Sequence, residues 1–111
     1  HTNAIKNYIL PKTDYYKDKT WLKYAEEADI LNVIIFKSTA KEWRNLNPTL
    51  AKTTNMRDYA SIYELTVLSN LESHNAQLIK EGKTKEERFL ILSGIADEQL
   101  KILNESKKLL N

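Results

Sequence analysis

One apolar run constrains the fold of this chain more than any other feature. It extends from Ile30 to Phe36, is interrupted only by Asn32, and lies inside segment 24–43, which reads YAEEADILNVIIFKSTAKEW. The residues before the run recur at helical spacing without a break, so the pattern predicts one helix that begins near Thr20. Although the last four residues of the run would also suit a strand, the pattern before them favours a helix. A helix that is apolar on nearly every side must be surrounded by other elements, so we expect it at the centre of the core.

Three capping signals predict where further helices begin. Each is a serine or threonine followed three residues later by a glutamate, which allows two reciprocal side-chain to backbone hydrogen bonds. They start at Thr39, Ser61 and Thr84. The first of these helices must be short because Asn47-Pro48 ends it. Its tryptophan, Trp43, is placed where it could fold back onto the apolar run.

Two long C-terminal helices are predicted over residues 62–81 and 85–110. Gly82 suits the left-handed position after the first, and so short a link predicts an antiparallel hairpin. Gly94 costs about 1 kcal/mol relative to alanine inside a helix, which predicts a close helix crossing there. The predicted core stripe of the first helix contains Ile62, Leu65, Leu68, Leu71, Asn75 and Leu78, broadened by Val67 and Ile79. The stripe of the second contains Phe89, Leu92, Ile95 or Ala96, Gln99 and Leu103, with Ile91, Ile102 and Leu110 beside it.

Together these patterns predict an all-α fold, with four to five helices in one compact domain over residues 1–111. The chain has only two glycines and two prolines, which disfavours an all-β fold because such folds need many tight turns. A short helix is predicted over Thr2–Leu10, where Pro11 ends it. Residues 12–20 fit either a loop or an early helix.

The composition excludes several classes of protein. The absence of cysteine excludes disulfides and thiolate sites and fits a reducing compartment, so we expect a cytoplasmic protein. The chain has no apolar stretch of about 20 residues, so no membrane is expected. Its 17 basic and 15 acidic residues are interleaved, which is typical of a solvated surface. Because the one methionine is Met56 and no signal peptide is found, we expect a processed product or a fragment of a longer protein.

No pattern of residues indicates catalysis. The densest acidic cluster is Glu26, Glu27 and Asp29, and carboxylates of this kind can hold a metal or move protons. The first two point about 100° apart on a helix, and no histidine stands at ligand spacing, so solvated charges with one ion pair are the simpler interpretation. His74 follows Glu72 and Ser73, but helical neighbours cannot converge into a triad. We therefore expect no enzyme, no metal, no cofactor and no small-molecule substrate.

Several polar residues have two interpretations. Asn32, if buried, needs hydrogen-bond partners, and we expect them at a neighbouring helix end or loop backbone. Arg57 and Asp58 precede a helix, where an ion pair or an Asp cap is the simpler role and an arginine exposed to phosphate is the alternative. Tyr15 and Tyr16 stand beside lysines and could stack on bases, although rings lying on the domain surface are the simpler prediction.

Three blocks of sequence, YAEEADILNVIIF, TAKEWRNLNP and NMRDYASIYELTVLSNLES, resemble the C-terminal region of bacterial and phage-derived KilA-N domain proteins. The resemblance covers essentially the whole chain. It departs from the family at Lys37, where a glycine is common, and over Asp14–Lys19, which has no clear counterpart. The matching positions are Tyr24, Ala25, Glu27, Ala28, Asp29, Leu31 and Asn32, then Thr39 to Arg44, and then Arg57 to Ala60. The opening His1 to Lys6 and the stretch from Leu68 to Glu72 match as well.

The resemblance implies an antirepressor-like regulator of phages or mobile elements, which binds DNA through a KilA-N domain upstream of this chain. Our hypothesis is that the chain is a non-catalytic module for protein interaction or self-association as a homo-oligomer, with helices 62–81 and 85–110 making the contacts. The alternative is direct nucleic-acid binding through Lys41, Arg44, Lys52 and Arg57. The family-motif residues expected to have structural or interaction roles are Glu27, Asp29, Asn32, Trp43, Arg44, Arg57 and Asp58.

Overall fold

The apolar run forms the central helix of the domain. The structure is a computed structural model that describes residues 8–110, with side chains through residue 105. Helix α1 spans Glu27–Phe36, and its residues 30–35 are all buried. It packs against both long C-terminal helices, so the prediction of a helix enclosed by its neighbours is confirmed.

Helix α1 begins later than its sequence pattern predicts. Thr20–Tyr24 forms a separate 3-10 helix, and the chain is extended at Ala25 and Glu26 before α1 starts. A capping box causes the break, because the Asp29 carboxylate accepts a hydrogen bond of 3.0 Å from the Glu26 backbone N–H. The predicted continuous helix from Thr20 is therefore wrong, because a glutamate N-cap with aspartate three residues later competes with helix continuation.

Helix α2 spans Ala40–Leu46 and has half of its predicted capping box. The Thr39 hydroxyl accepts a bond of 3.1 Å from the Glu42 N–H, as predicted. The Glu42 carboxylate instead accepts a bond of 2.9 Å from the Thr13 hydroxyl. Glu42 therefore binds the N-terminal segment at Thr13 instead of completing the capping box.

The two long helices form the predicted hairpin. Helix α3 spans Ile62–Lys80 and α4 spans Lys85–Leu110, and both predicted capping boxes, at Ser61 and Thr84, are present. Gly82 has φ 79°, and the bonds from its own N–H and from the next N–H close a Schellman motif. The bond from Asn70 to Gln99, together with the contact between residues 75 and 88, establishes the antiparallel register.

The core uses the later part of the predicted α3 stripe together with Val67. Val67, Leu68 and Leu71 are buried, whereas Ile62 is 70% exposed and Leu65 is 40% exposed, so the predicted stripe is wrong at its first two positions. These two residues lie in the first turn of α3. The α4 stripe is buried at Phe89, Leu92 and Ala96.

Gly94 does not mark a close helix crossing. The residue is exposed, and a Cβ built on it would meet no atom within 4 Å. The prediction of close packing there is wrong, because Gly94 lies on an exposed face of α4 where no other element approaches it.

The segment before α1 contributes to the core. Tyr15 is buried with its ring edge-on to Trp21 at 5.1 Å, and the Tyr16 ring lies 4.6 Å from that of Phe89. The prediction that these tyrosine rings lie on the surface is therefore wrong, because the turn at residues 15–17 directs both toward apolar neighbours. Of the short helix predicted over Thr2–Leu10, residues 1–7 lie outside the described residues, and residues 8–10 are not helical.

The described chain is all-α, with four α-helices and short 3-10 helices at Thr20–Tyr24, Leu50–Lys52 and Met56–Tyr59. The fold class and the C-terminal hairpin are thus confirmed. None of the helices within residues 8–110 combines the length and apolar character needed to cross a bilayer.

Candidate interaction groove

A shallow groove of about 350 Å³ runs between α1 and α3, and we refer to it as the α1–α3 groove. Its walls combine apolar and small side chains with one arginine and two glutamates. The lining residues are Glu27, Ala28, Leu31, Arg57, Glu72, Asn75, Ala76 and Ile79.

Arg57 is held in the groove by a buried amide. It belongs to the 3-10 helix Met56–Tyr59, whose capping box joins Asn55 and Asp58 by bonds of 3.1 and 2.8 Å. Its Nε donates a hydrogen bond of 3.0 Å to Oδ1 of Asn32, which is only 5% exposed. No described residue accepts a hydrogen bond from the two terminal guanidinium nitrogens or pairs with their charge. An arginine with one nitrogen fixed and two unused is oriented to bind an anion from outside the chain.

Glu27 is the centre of a polar network beneath the groove. Arg88 donates from Nη1 to Glu27 Oε1, from Nη2 to Glu27 Oε2 at 3.3 Å, and from Nη1 to Asn75 Oδ1 at 2.7 Å. Asn75 returns a bond of 2.8 Å from Nδ2 to Glu27. Arg88 also donates from Nε to the Lys83 carbonyl at 3.2 Å. The network therefore joins the N-terminus of α1, the middle of α3 and the start of α4.

The ionisation of Glu27 follows from these partners. The hydrogen bond from Arg88 lowers the pKa of Glu27 below its ordinary value, and burial opposes this effect. The Asn75 bond and the charges of Arg88 and Lys85 lower the pKa further. Glu27 is therefore an ionised structural partner at neutral pH, and its charge is balanced within the domain.

The structure brings three of the seven predicted motif residues to this groove. Glu27 and Arg57 line it, and Asn32 holds Arg57 from below, with a side-chain partner rather than the backbone partner predicted. Asp29 and Asp58 do not enter it but cap the elements that carry the other three, which is the simpler role considered for Asp58.

The remaining motif residues, Trp43 and Arg44, lie on α2, away from this groove. The Trp43 ring is fully buried and contacts Tyr8 and Tyr59, with centroids 6.3 and 5.9 Å apart, rather than joining the main core cluster. Asn47, at the end of α2, holds the preceding segment by accepting from the Ile9 N–H at 2.6 Å and donating to its carbonyl at 2.8 Å. This end of the domain thus serves to anchor the N-terminal segment.

The four basic residues considered for nucleic-acid contact do not share one environment. Lys41, Arg44 and Lys52 are exposed, and no carboxylate among the described residues pairs with them. Arg57 is half-buried and bonded to Asn32. Three basic side chains on and just after α2 are thus exposed, and the fourth, Arg57, lies in the groove.

The sequence pattern placed Asn75 on the core face of its helix, and the structure confirms that it is buried, but the pattern gave it no partner and did not single out Arg88. A signal was available, because both are polar residues at positions that continue an apolar helical stripe. Buried polar residues of this kind require partners, and here they bond to each other and to Glu27.

Within the described residues, no group of three or more histidine or carboxylate side chains is arranged to hold a metal ion, and His74 is exposed. Of the three clustered acidic residues, Glu26 and Asp29 cap α1, and Glu27 pairs with Arg88. What the groove can offer chemically is a fixed cation beside apolar walls. In comparisons with family models, curated proteins and solved structures, nothing matches this chain.

Proposed function

We propose that this domain is a non-catalytic interaction module that self-associates. In this proposal it belongs to a KilA-N type, antirepressor-like regulator that contacts DNA through a separate upstream domain. The family part rests on the three blocks of sequence resemblance. The interaction part rests on the surface of the helical hairpin.

The observation that carries the proposal is the concentration of exposed apolar side chains on α3 and α4. Scattered exposed leucines and isoleucines are ordinary, whereas a group on two adjacent helices is typical of an interaction surface. The register set by Asn70 and Gln99 places residues 102–104 of α4 beside residues 65–67 of α3, so Ile102 lies at the same end of the hairpin as Leu65. The exposed fractions are 70% for Ile62, 40% for Leu65, 47% for Ile79, 50% for Leu90, 40% for Ile91 and 53% for Ile102.

Light scattering coupled to size-exclusion chromatography tests self-association. We expect the measured mass to rise from monomer toward dimer as the protein concentration increases. Ile102→Ser should shift this transition to higher concentration, because it removes an exposed apolar side chain without disturbing the core. Tyr24→Ser is the matched control, since Tyr24 is 84% exposed but lies outside the hairpin. A monomeric mass at every concentration would refute the proposal.

Nucleic-acid binding is the second candidate, and it is favoured by the charges of Lys41, Arg44 and Lys52, which pair with no carboxylate in the described part of the chain. Phosphate contacts of this kind make affinity fall with salt, by a log–log slope of about 0.9 per contact on duplex DNA. An electrophoretic mobility shift at low salt tests it. The double variant Lys41→Gln/Arg44→Gln should weaken binding and flatten the salt dependence. Absence of a shift at low salt would eliminate this candidate.

A further inference from the structure

We infer that the α1–α3 groove is the receptor for α4 of a second copy of this chain. The contact is reciprocal, so each copy offers its groove to the other and presents its own α4. This inference rests on the proposed self-association and names its contact surfaces.

The receptor side has an apolar strip with one charge of each sign. Ala28 and Ala76 are small and exposed, which permits close approach of a helix, and Ile79 adds an exposed apolar side chain. Arg57 supplies an oriented positive charge whose terminal nitrogens lack a partner among the described residues. Glu72 is exposed on α3 and supplies the negative charge. The other carboxylate of the groove, Glu27, is already neutralised by the Arg88 guanidinium beneath it.

The exposed face of α4 has the complementary composition. Glu98, Lys101, Ile102 and Glu105 line a shallow depression together with Gly94 and Asp97. Residues at 98, 101, 102 and 105 share one helical face, so the isoleucine stands between two acidic positions. Ile102 is 53% exposed on a helix whose opposite face is buried in the core. Gly94 leaves the face flat, since nothing lies within 4 Å of the position its Cβ would take.

Charge and shape together select the occupant. Ile102 packs between Ala28 and Ile79, Glu98 or Glu105 meets the Arg57 fork, and Lys101 meets Glu72. Because a twofold contact is self-complementary, the two copies make this set of interactions twice and bury twice the area of one groove. This contact would explain why a polar residue, Asn32, lies inside the most apolar run of the chain. Asn32 orients Arg57, which binds the carboxylate of the second copy.

Mixed charge reversal tests the contact in sedimentation equilibrium. Arg57→Glu, and separately Glu98→Arg/Glu105→Arg, should each weaken dimerisation at least about tenfold, because like charges then face each other in both contacts. An equimolar mixture should recover dimerisation to within about threefold of wild type, since both contacts in the mixed dimer pair opposite charges. Arg44→Glu is the control, because it reverses an exposed basic charge outside the groove.

The outcomes separate the two proposals. A wild-type protein that stays monomeric refutes self-association itself. A wild-type dimer that is unaffected by Arg57→Glu, or two weakened variants that fail to recover when mixed, refutes only the groove contact. If circular dichroism shows that Arg57→Glu does not fold, Glu72→Lys and Lys101→Glu replace the pair, because both residues are exposed. Failure of those two to weaken dimerisation alone and to recover in the mixture would overturn the inference equally.

Discussion

Replacement of Glu27 by glutamine tests whether the buried guanidinium of Arg88 depends on its counter-charge. The Arg88 side chain is only 6% exposed, and the Glu27 side chain is 44% exposed. The substitution preserves the shape of the side chain and one carbonyl acceptor. It removes the negative charge from the single ion pair found among the described side chains.

The expected cost follows from this asymmetry of burial. Removing one partner from a fully buried ion pair costs about 3–5 kcal/mol, because the other charge stays buried without compensation. Since water reaches almost half of Glu27 and screens it, we reduce this to about 2 kcal/mol for Glu27→Gln. In an Arg88→Met background the buried charge is gone, so the same substitution should cost less than about 0.5 kcal/mol.

Urea denaturation followed by circular dichroism measures these free energies of unfolding without adding salt. Glu86→Gln serves as the control, because Glu86 is an exposed carboxylate in the first turn of α4. The pKa of Glu27 is lowered in the folded protein, so its contribution is fully present above the ordinary value of 4.5. As the pH falls from there through the lowered folded pKa, the wild type loses this contribution and the cost of Glu27→Gln should shrink.

Two results would refute the reasoning about this network. One is an equal cost of Glu27→Gln in the wild-type and Arg88→Met backgrounds, which would mean that the two side chains are not coupled. The other is a cost that grows as the medium is acidified below pH 4.5, since a lowered pKa requires the opposite sign.

Three further substitutions test local features by urea denaturation. Gly94→Ala should stabilise the domain by about 0.5–1 kcal/mol, because the exposed position has room for a methyl group; a loss of stability would contradict this. Lys37→Gly should stabilise it by about 0.5 kcal/mol, since Lys37 has φ 61°, and the loss of its Nζ bond to the Ile34 carbonyl offsets part of the gain; no gain would show that this bond outweighs the backbone strain. Asn47→Ala should cost about 1–2 kcal/mol and speed hydrogen exchange at the Ile9 amide, because both bonds to that residue are lost; unchanged exchange would contradict the anchoring role.

The sequence predicted helix starts best where the signal is local. The boxes at Ser61 and Thr84 and the left-handed Gly82 involve residues within a few positions of each other, and all three are present. A local capping box also explains why the start of α1 was predicted wrongly. Glu26 and Asp29 form a box that pattern reasoning passed over, because glutamate is not among the preferred N-caps.

The candidate site was predictable only in part. The family blocks drew attention to Glu27, Asn32 and Arg57, but nothing in their spacing indicated that they meet at one groove. Asn32 and Arg57 are separated by 25 positions, and Glu27 and Arg88 by 61. Pairings at such separations depend on how the helices pack, which the periodicity of a single segment does not specify.

The sequence by itself determined an all-α chain with a central apolar helix and a C-terminal hairpin, because hydrophobic periodicity and capping act over one or two helical turns. The tertiary structure decided which face of each helix is buried and which tyrosines enter the core. It also decided which arginine is neutralised and which has terminal nitrogens without a partner among the described residues. The physical reason is that burial and charge pairing are properties of neighbours in space. Two arginines that look alike in the sequence differ because one is enclosed by Glu27 and Asn75, while the other is held at a single nitrogen by Asn32.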